Sequence, residues 1–313
     1  MTKMSYTYKI VTKERFKDLK QLYQKVFGNN YMLAYVENKY SPFYSDNLLF
    51  GHIAYFNDEP VAFHGAIPVK MKYNDDIEIA AQYGDAMTLP NHTGKGLFTK
   101  LGKLTDEQLK NSGIKFVWGF PNQNSEYGYI HKLDWQFKER IIGYQCNNDF
   151  FSLEKAFQLT SKTSDLYKKH IEKTLSKLKV KRELVGSVFK TNDIVSTCRD
   201  KEFYDYKSIN DNFIIEIEKV KFWIKIKNGL LIGDIETSSE ENFYIALNKL
   251  KSIVFSKGIS KIVIQASPNT QIDFLMKKTN WTSFQSWIVG YKNFSSQFPL
   301  EKLKFTFGDL DTF

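Results

Sequence analysis

The order of apolar and polar positions divides the first half of the chain into alternating strands and helices. Apolar residues recur at helical spacing over 15–27 and again over about 95–111, which predicts two amphipathic helices. Apolar runs bounded by turn residues predict strands over 7–11, 49–56, 60–73, 80–89, 115–120 and 138–146. This order predicts an α/β fold, with a mixed sheet and helices on both of its sides.

A glycine-containing loop separates the predicted strand 80–89 from the helix that follows it. Residues 88–102 read TLPNHTGKGLFTKLG, with Gly94 and Gly96 one residue apart. A strand, a glycine turn and a helix N-terminus form a binding site for anions, because backbone N–H groups point outward there. Because of these N–H groups, we expect the loop to bind a pyrophosphate. The loop is, however, neither a Walker loop nor the three-glycine dinucleotide motif.

This loop resembles motif A of the Gcn5-related N-acetyltransferase (GNAT) superfamily, Gln/Arg-x-x-Gly-x-Gly/Ala. The motif reads here as Asn91-His92-Thr93-Gly94-Lys95-Gly96, in which Asn91 departs from the usual Gln or Arg. The residues MTLP (87–90) resemble the end of the family's fourth strand, and GIKFVWGFPN (113–122) resembles its fifth strand. The run NSEYGYIHKLDWQF (124–137) resembles the helix that follows, and the whole resemblance covers residues 5–147.

The resemblance implies that the protein transfers an acyl group from acetyl-CoA to an amine. Backbone N–H groups of the family's fourth strand hold the pantetheine and the thioester carbonyl, and they map near Met87 and Leu89. The loop would hold the pyrophosphate, and Asn122 would contact the pantetheine or cap the next helix. The cofactor-binding residues implied in this way are Met87, Leu89, Asn91, His92, Thr93, Gly94, Lys95, Gly96, Leu97 and Asn122.

Three residues are candidates for the proton transfers that acyl transfer to an amine requires. Asp85 lies two residues before Met87, hence on the same face of a regular strand, and would be the base or a structural strand-end carboxylate. His64 and His52 are weaker candidates for the base. The family's acid, a tyrosine, maps to Ile130, so the adjacent Tyr129 is the candidate acid or an aromatic packing residue. Some two-unit members use the carboxylate of their last residue as base, which here would be Phe313.

The second half of the chain repeats several dipeptides of the first half in the same order. The pairs Gly84-Asp85, Gly113-Ile114 and Pro121-Asn122 recur as Gly233-Asp234, Gly258-Ile259 and Pro268-Asn269. This pattern predicts a tandem repeat of the fold whose second copy is degenerate, because TSSEENFY (237–244) replaces the glycine loop. We expect an acetyltransferase domain over 1–147, a lysine-rich helical connector over 148–205 and the degenerate copy over 206–313.

Composition limits the other functions that the chain could have. The net charge is +9, but only four of the 44 basic residues are Arg, which does not favour a nucleic-acid reader. No apolar run approaches membrane-spanning length. Two cysteines make neither a disulfide scaffold nor a metal site, so we expect a cytoplasmic protein that holds no metal.

The sequence therefore predicts a cytoplasmic, acetyl-CoA-dependent N-acetyltransferase that acts on a small-molecule amine. The run FPN…NS…KLDW and the ending GDLDTF resemble acetyltransferases associated with surface-polysaccharide synthesis, so the first expected acceptor is an amino sugar, either free or nucleotide-linked. Aminoglycosides, polyamines and peptide amines remain open. The alternatives are a catalytically silent CoA-binding or sensor protein and, on charge alone, a nucleic-acid-binding protein.

Overall fold

A computed structural model describes residues 5–28, 30–41, 49–149, 153–157, 161–181, 183–187 and 193–313. The chain divides into two units. The first consists of Met1–Lys138 and Trp287–Glu301, and the second of Glu139–Ser286 and Lys302–Phe313. None of the helices in the described part of the chain is both long enough and apolar enough to cross a membrane.

The first unit contains the strands and helices that precede residue 139, together with a segment from much later in the chain. Its strands are β1 (Thr7–Ile10), β2 (Phe50–Phe56), β3 (Glu59–Tyr73), β4 (Asp76–Thr88) and β5 (Phe116–Gly119). Its helices are α1 (Phe16–Phe27), α2 (Leu33–Tyr40), α3 (Leu97–Asn111) and α4 (Glu126–Lys132). The helix α2 was not expected from the sequence, whereas the other elements lie within a few residues of their predicted positions.

The sheet of the first unit is mixed. Strands β1 to β4 pair antiparallel in chain order, and β4 pairs parallel with β5. The last strand comes from β12 (Thr282–Asn293), whose residues Gly290–Asn293 pair antiparallel with Gly119–Phe116 of β5. The expected mixed α/β architecture is therefore confirmed.

The second unit contains most of the remaining elements of the chain. Its strands are β6 (Gln136–Asn147, from Glu139 on), β7 (Val195–Thr197), β8 (Asn212–Ile217), β9 (Val220–Ile226), β10 (Leu230–Glu236) and β11 (Lys261–Ala266). Its helices are α5 (Leu153–Phe157), α6 (Ser161–Leu175), α7 (Lys201–Lys207), α8 (Glu240–Phe255) and α9 (Gln271–Lys277).

The sheet of the second unit is also mixed. Strands β8, β9 and β10 pair antiparallel, β10 pairs parallel with β11, and β11 pairs antiparallel with β6. Helix α8 connects the two parallel strands and buries Phe243, Leu247 and Leu250 on one face. These side chains join the apolar residues of β8 to β11 in a single core.

The bounds of the two units differ from the three expected segments. Residues 139–147 were expected in the first domain but form a strand of the second unit, and residues 287–301 belong to the first unit. The lysine-rich region also belongs to the second unit, where Ile171 and Leu175 of α6 lie in the core. Pairing between strands that are distant in the chain sets these bounds, and strand pairing over such distances leaves no local pattern in the sequence.

Candidate active site

A cleft opens where the two parallel strands of the first unit separate. Strands β4 and β5 are paired at Ala81–Val117 and Gln82–Trp118. Beyond these pairs Tyr83, Gly84 and Asp85 line one wall, and Gly119 and Phe120 line the other. The cleft has a volume of about 670 Å³. In open α/β sheets, ligands commonly bind at the carboxyl ends of the strands, which is the position of this cleft.

The glycine loop closes one end of the cleft. Gly94 and Gly96 have φ values of +71° and +76°, which L side chains rarely adopt. A Cβ built on either residue has no heavy atom within 4 Å, so the space above the loop is open. Hydrogen bonding of α3 starts with the N–H of Lys100, which donates to Gly96 O at 3.0 Å. The earlier N–H groups of the helix are available to an anion.

The residues before the glycines fix the position of the loop. A hydrogen bond of 3.0 Å joins His92 Nδ1 to the Tyr6 hydroxyl. The hydroxyl of Thr93 donates to Pro90 O at 2.8 Å and closes a short turn. These contacts hold the loop in a fixed shape, and a fixed shape lowers the entropic cost of binding a phosphate.

Strand β4 bulges at Asp85. Gly84 pairs with Gly65, and Met87 pairs with Phe63. The chain therefore advances by three residues on β4 where it advances by two residues on β3. Asp85 has a φ of +51°, a conformation that Asp tolerates better than most residues. A bulge leaves backbone groups out of the ladder and redirects a side chain. The expected common face for Asp85 and Met87 is therefore wrong: Asp85 lines the cleft, whereas Met87 is buried.

The carboxylate of Asp85 is bound by three donors. Its Oδ2 forms an ion pair with Lys39 Nζ and accepts hydrogen bonds from the hydroxyls of Tyr23 at 2.5 Å and Tyr40 at 2.7 Å. The side chain of Asp85 is 13% exposed and that of Lys39 only 2%. Burial raises the pKa of Asp85, but the charge of Lys39 and the three hydrogen bonds outweigh it and hold the pKa below its usual range. Asp85 is thus an ionised carboxylate at neutral pH.

Tyr129 on α4 lines the opposite part of the cleft and contacts a buried histidine. Its hydroxyl and His64 Nε2 share a hydrogen bond of 3.1 Å. Burial lowers the pKa of His64 to about 3, so the imidazole is neutral at neutral pH. The Tyr129 ring also lies 4.5 Å from that of Trp135, centroid to centroid. Tyr129 therefore packs as an aromatic residue against Trp135, and it also lines the cleft, as a candidate acid must.

Asn122 begins the turn that precedes α4. Its Oδ1 accepts from the N–H groups of Asn124 at 2.9 Å and Ser125 at 3.2 Å. All three residues line the cleft. The carboxamide oxygen thus holds the turn that precedes α4, whereas the N-cap of that helix is Ser125, which makes no side-chain capping bond.

The structure brings together most of the residues that the sequence singled out. The cleft is lined by Asp85, His92, Thr93, Gly94, Gly96, Leu97, Asn122 and Tyr129. Met87, Leu89, Asn91 and Lys95 are not among its described lining residues. The N–H of Leu89 donates to Val61 O at 2.8 Å, so it belongs to the sheet and not to a cofactor site.

Phe313 belongs to the second unit and is not a lining residue of the cleft. Its ring is 1% exposed and lies 5.0 Å from that of Trp223, centroid to centroid. Its carbonyl oxygen accepts a hydrogen bond of 3.1 Å from Asn212 Nδ2. The expected basic role of Phe313 has no support from these contacts, because they commit both its ring and its carbonyl group to the second unit.

Sequence reasoning missed the residues that surround Asp85. Tyr23, Lys39 and Tyr40 lie on α1 and α2, 45 to 62 positions before the carboxylate that they contact. Val26 and Phe27 at the end of α1 also line the cleft. The amphipathic pattern of α1 placed Tyr23, Val26 and Phe27 on one face, but it gave no indication that this face reaches Asp85.

Comparisons with known proteins agree with this geometry. Residues 7–137 match the sequence model of the acetyltransferase (GNAT) domain, a range that includes the bulge, the glycine loop and α4. No curated protein sequence is significantly similar to the chain.

Solved structures share the fold along nearly the whole chain. A GCN5-related N-acetyltransferase from Kribbella flavida superposes with a TM-score of 0.58 at 11% identity, covering 93% of this chain and 71% of that one. A conserved protein of Enterococcus faecalis V583, considered an N-acyltransferase candidate, gives 0.63 at 12% identity, with 95% and 75% covered. An acetyltransferase candidate from Pyrococcus horikoshii gives 0.55 at 13%, with 99% and 96% covered.

Identities of 11–13% show a common fold and nothing beyond it. The domain match is independent of the fold, because it is a match in sequence. Its range, residues 7–137, contains all the described residues that line the cleft. Residues 7–137 thus match the sequence of an acetyltransferase (GNAT) domain, and the chain has the fold of solved N-acetyltransferase structures.

Proposed function

We propose that the first unit transfers the acetyl group of acetyl-CoA to the primary amine of a small molecule. One observation carries the proposal: a single cleft joins an anion-binding glycine loop to a strand bulge that presents a carboxylate. Acyl transfer requires a bound thioester, an oriented amine and a route for two protons. The cleft contains candidate groups for each of these requirements.

Residues 93–97 would hold the cofactor by its pyrophosphate. The open space above Gly94 and Gly96 and the N–H groups at the start of α3 support this role. The bulge at Asp85 offers backbone N–H groups that are out of the ladder. Donors of this kind polarise a carbonyl and stabilise the charge that develops on its oxygen. Acetyl-CoA would supply the activated acetyl thioester.

Asp85 would hold and orient the acceptor amine. All three of its donors reach Oδ2, so Oδ1 is the oxygen that we assign to the amine. Because its pKa is depressed, Asp85 is a weaker proton acceptor than an ordinary carboxylate. The proton of the amine would therefore leave mainly to water, with Asp85 fixing the geometry of attack.

Tyr129 would protonate the leaving thiolate. It lines the cleft, and it directly precedes Ile130, to which the family's acid maps in the resemblance. The neutral ring of His64 fixes the position of the phenol through the 3.1 Å hydrogen bond. His64 is thus a positioning residue in this scheme.

The lining of the cleft favours an acceptor with one amino group and an uncharged body. Among the described lining residues Asp85 is the only carboxylate, and none is Lys or Arg. A polyamine or aminoglycoside would call for several carboxylates, and a nucleotide-linked sugar for additional cations. Val26 and Phe27 offer an apolar wall to a ring. A free amino sugar is therefore our first candidate acceptor. The role in polysaccharide synthesis and the cytoplasmic location remain predictions from the sequence.

We infer further that the second unit is a degenerate copy of the first. Strands β8 to β11, with α8 between the parallel pair and α9 after it, repeat the order of β2 to β5 with α3 and α4. The register of β10 shifts at Gly233, as that of β4 does at Gly84. Asp234 then pairs with Arg199, as Asp85 pairs with Lys39. Ser239 caps α8 where the first unit has its glycine loop.

The test of the proposed function is release of free CoA from acetyl-CoA in the presence of single amines. A panel would hold glucosamine, an arylalkylamine, spermidine, an aminoglycoside and a nucleotide-linked amino sugar. We expect turnover with glucosamine or the arylalkylamine and little with the other three. Turnover confined to the polycations or the nucleotide sugar would contradict the acceptor class.

The rival function is a CoA-binding protein without turnover. The pairing of Asp85 with Lys39 and the presence of Ile130 at the family's acid position favour it. Tight CoA binding with no acetyl transfer to any amine of the panel would establish this alternative.

A further inference from the structure

The two parallel strands of the second unit also separate, but a later segment of the chain lies at the ends of those strands. Strands β10 and β11 are paired from Leu230–Ile262 to Ile232–Ile264. After this point Ala266 forms a bridge with Thr306. The N–H of Ser267 donates to Phe305 O at 2.8 Å, and the N–H of Phe305 donates to Ser267 Oγ at 2.9 Å. Residues 303–313 thus lie where the first unit has its cleft.

The ring of Phe313 fills the space beside the bulge of β10. A Cβ built on Gly233 would meet that ring at 2.4 Å. The ring also packs on Trp223 at 5.0 Å and on Phe307 at 5.5 Å, centroid to centroid. Only a glycine at position 233 leaves room for this ring. A glycine precedes the Asp at the bulge in both units. In the second unit this glycine, Gly233, makes room for the ring of Phe313.

Side-chain donors of the second unit bind consecutive carbonyl groups of the segment. Lys207 donates to Leu310 O, Asn210 Nδ2 to Asp311 O at 3.0 Å, and Lys225 to Thr312 O at 2.6 Å. Asn212 Nδ2 donates to Phe313 O at 3.1 Å. The lysines are at most 7% exposed. Burying an amino group costs free energy unless it is hydrogen-bonded, so these groups form a built peptide-binding site.

The segment also reaches the charged pair at the bulge. Arg199 pairs with Asp234 and, through its other terminal nitrogen, with Asp309 at 2.8 Å. The same nitrogen donates to Thr306 Oγ1 at 2.8 Å. In the first unit the corresponding carboxylate, Asp85, faces an open cleft. In the second unit the arginine partner of Asp234 is bound by the segment.

We propose that residues 303–313 are the built-in ligand of the second unit and occupy its counterpart of the acyl-CoA cleft. The inference rests on the proposed origin of that unit as a degenerate copy of the first. The second unit then differs from the first in two ways that both disfavour CoA binding. It lacks the glycine loop, and residues 303–313 fill the position that corresponds to the cleft of the first unit. The peptide-binding groups of the second unit serve residues 303–313.

Hydrogen–deuterium exchange of the intact protein tests this proposal, since amides of a seated segment exchange slowly. We expect the amides of residues 305–313 to exchange at least 100-fold more slowly than those of a synthetic peptide of that sequence. Gly233→Ala and Phe313→Ala should each accelerate exchange at Leu310 and residue 313 at least tenfold. Phe274→Ala is the matched control, because its ring is 55% exposed in the same unit and should leave these amides unchanged.

Two outcomes would overturn the proposal. One is exchange of residues 305–313 in the unaltered protein at the rate of the free peptide. The other is slow exchange in both Gly233→Ala and Phe313→Ala, equal to that of the unaltered protein. The experiment uses neither acetyl-CoA nor an amine, so an inactive first unit would refute the proposed function without changing these results.

Discussion

Asp85 and Lys39 form an ion pair at the bulge of β4, and both side chains are largely buried. The lysine comes from α2 and covers the side of the carboxylate that faces the helices, together with the hydroxyls of Tyr23 and Tyr40. A buried ion pair costs desolvation, and removal of either partner leaves the other uncompensated. Such an arrangement keeps Asp85 ionised and fixed at the edge of the cleft, which suits a group that orients an amine.

Asp85→Asn should impair catalysis and leave cofactor binding intact. The substitution removes the charge that we assign to the acceptor amine, so kcat/KM for the amine should fall roughly 10²-fold or more. The dissociation constant of CoA should change less than twofold. Steady-state kinetics and calorimetry measure the two quantities.

Asp106→Asn is the matched control for that substitution. Asp106 is also a buried carboxylate of the first unit, bound by Tyr83 at 2.7 Å and by Lys292 at 2.8 Å. It does not line the cleft, so its loss should lower stability without a comparable loss of kcat/KM at a temperature where the variant is folded. Equal kinetic losses in both variants would make Asp85 structural.

Tyr129→Phe should lower kcat about 10²-fold if the phenol protonates the leaving thiolate. The ring packing against Trp135 and Phe98 is retained in this variant, so folding should be preserved. The loss should shrink with an acyl donor whose thiol is more acidic, because that leaving group needs less protonation. Near-full kcat in Tyr129→Phe would assign the residue to packing alone.

Local apolar patterns predicted strands β1 to β5 and the helices α1 and α3 of the first unit, but they did not predict the short helix α2. The residues around Asp85 could not be predicted in this way. Its partner Lys39 lies 46 positions away, and a lysine on a short helix normally faces solvent. The strand bulge had only the dipeptide Gly84-Asp85 as a local sign, and an Asp at positive φ is common outside active sites as well.

The assignment of strands to units was equally beyond local reasoning. Gly290–Asn293 pair with β5, more than 170 positions earlier, and residues 139–147 pair with β11. The repeated dipeptides, in contrast, did mark comparable points. Gly84 and Gly233 both lie at register shifts of the first of the two parallel strands in their unit.

The unfolding free energy should fall as the pH decreases below about 6.5. Burial lowers the pKa of His64 to about 3 and that of His52 to about 4. The unfolded chain binds protons near the ordinary histidine pKa of about 6.5, whereas the folded chain does not, so acid favours unfolding. Between pH 7.5 and 5 we expect a loss of about 2 kcal/mol for each histidine. Denaturant titrations of the unaltered protein and His64→Gln measure this, and an equal pH dependence in both would contradict it.

The second unit should gain stability between pH 7 and about 9. Burial lowers the pKa of Lys207 and of Lys225 to about 7. Within this range the unfolded chain binds more protons than the folded one, so the unfolding free energy rises with pH by up to about 1.4 kcal/mol per unit for each lysine. Lys207→Met should show a shallower rise in denaturant titrations. A flat profile in the unaltered protein would contradict the burial of these amines.

The most direct test of the account is the affinity of CoA for the glycine loop, measured by calorimetry in Gly96→Val and Gly113→Val. Both glycines have positive φ, +76° and +80°, and neither has a heavy atom within 4 Å of a built Cβ. The two substitutions therefore impose the same backbone strain, but only Gly96 lines the cleft. We expect CoA to bind Gly96→Val at least tenfold more weakly, about 1.4 kcal/mol, and Gly113→Val as tightly as the unaltered protein. Unchanged affinity in Gly96→Val, or equal losses in both variants, would contradict the assignment of this cleft to acetyl-CoA.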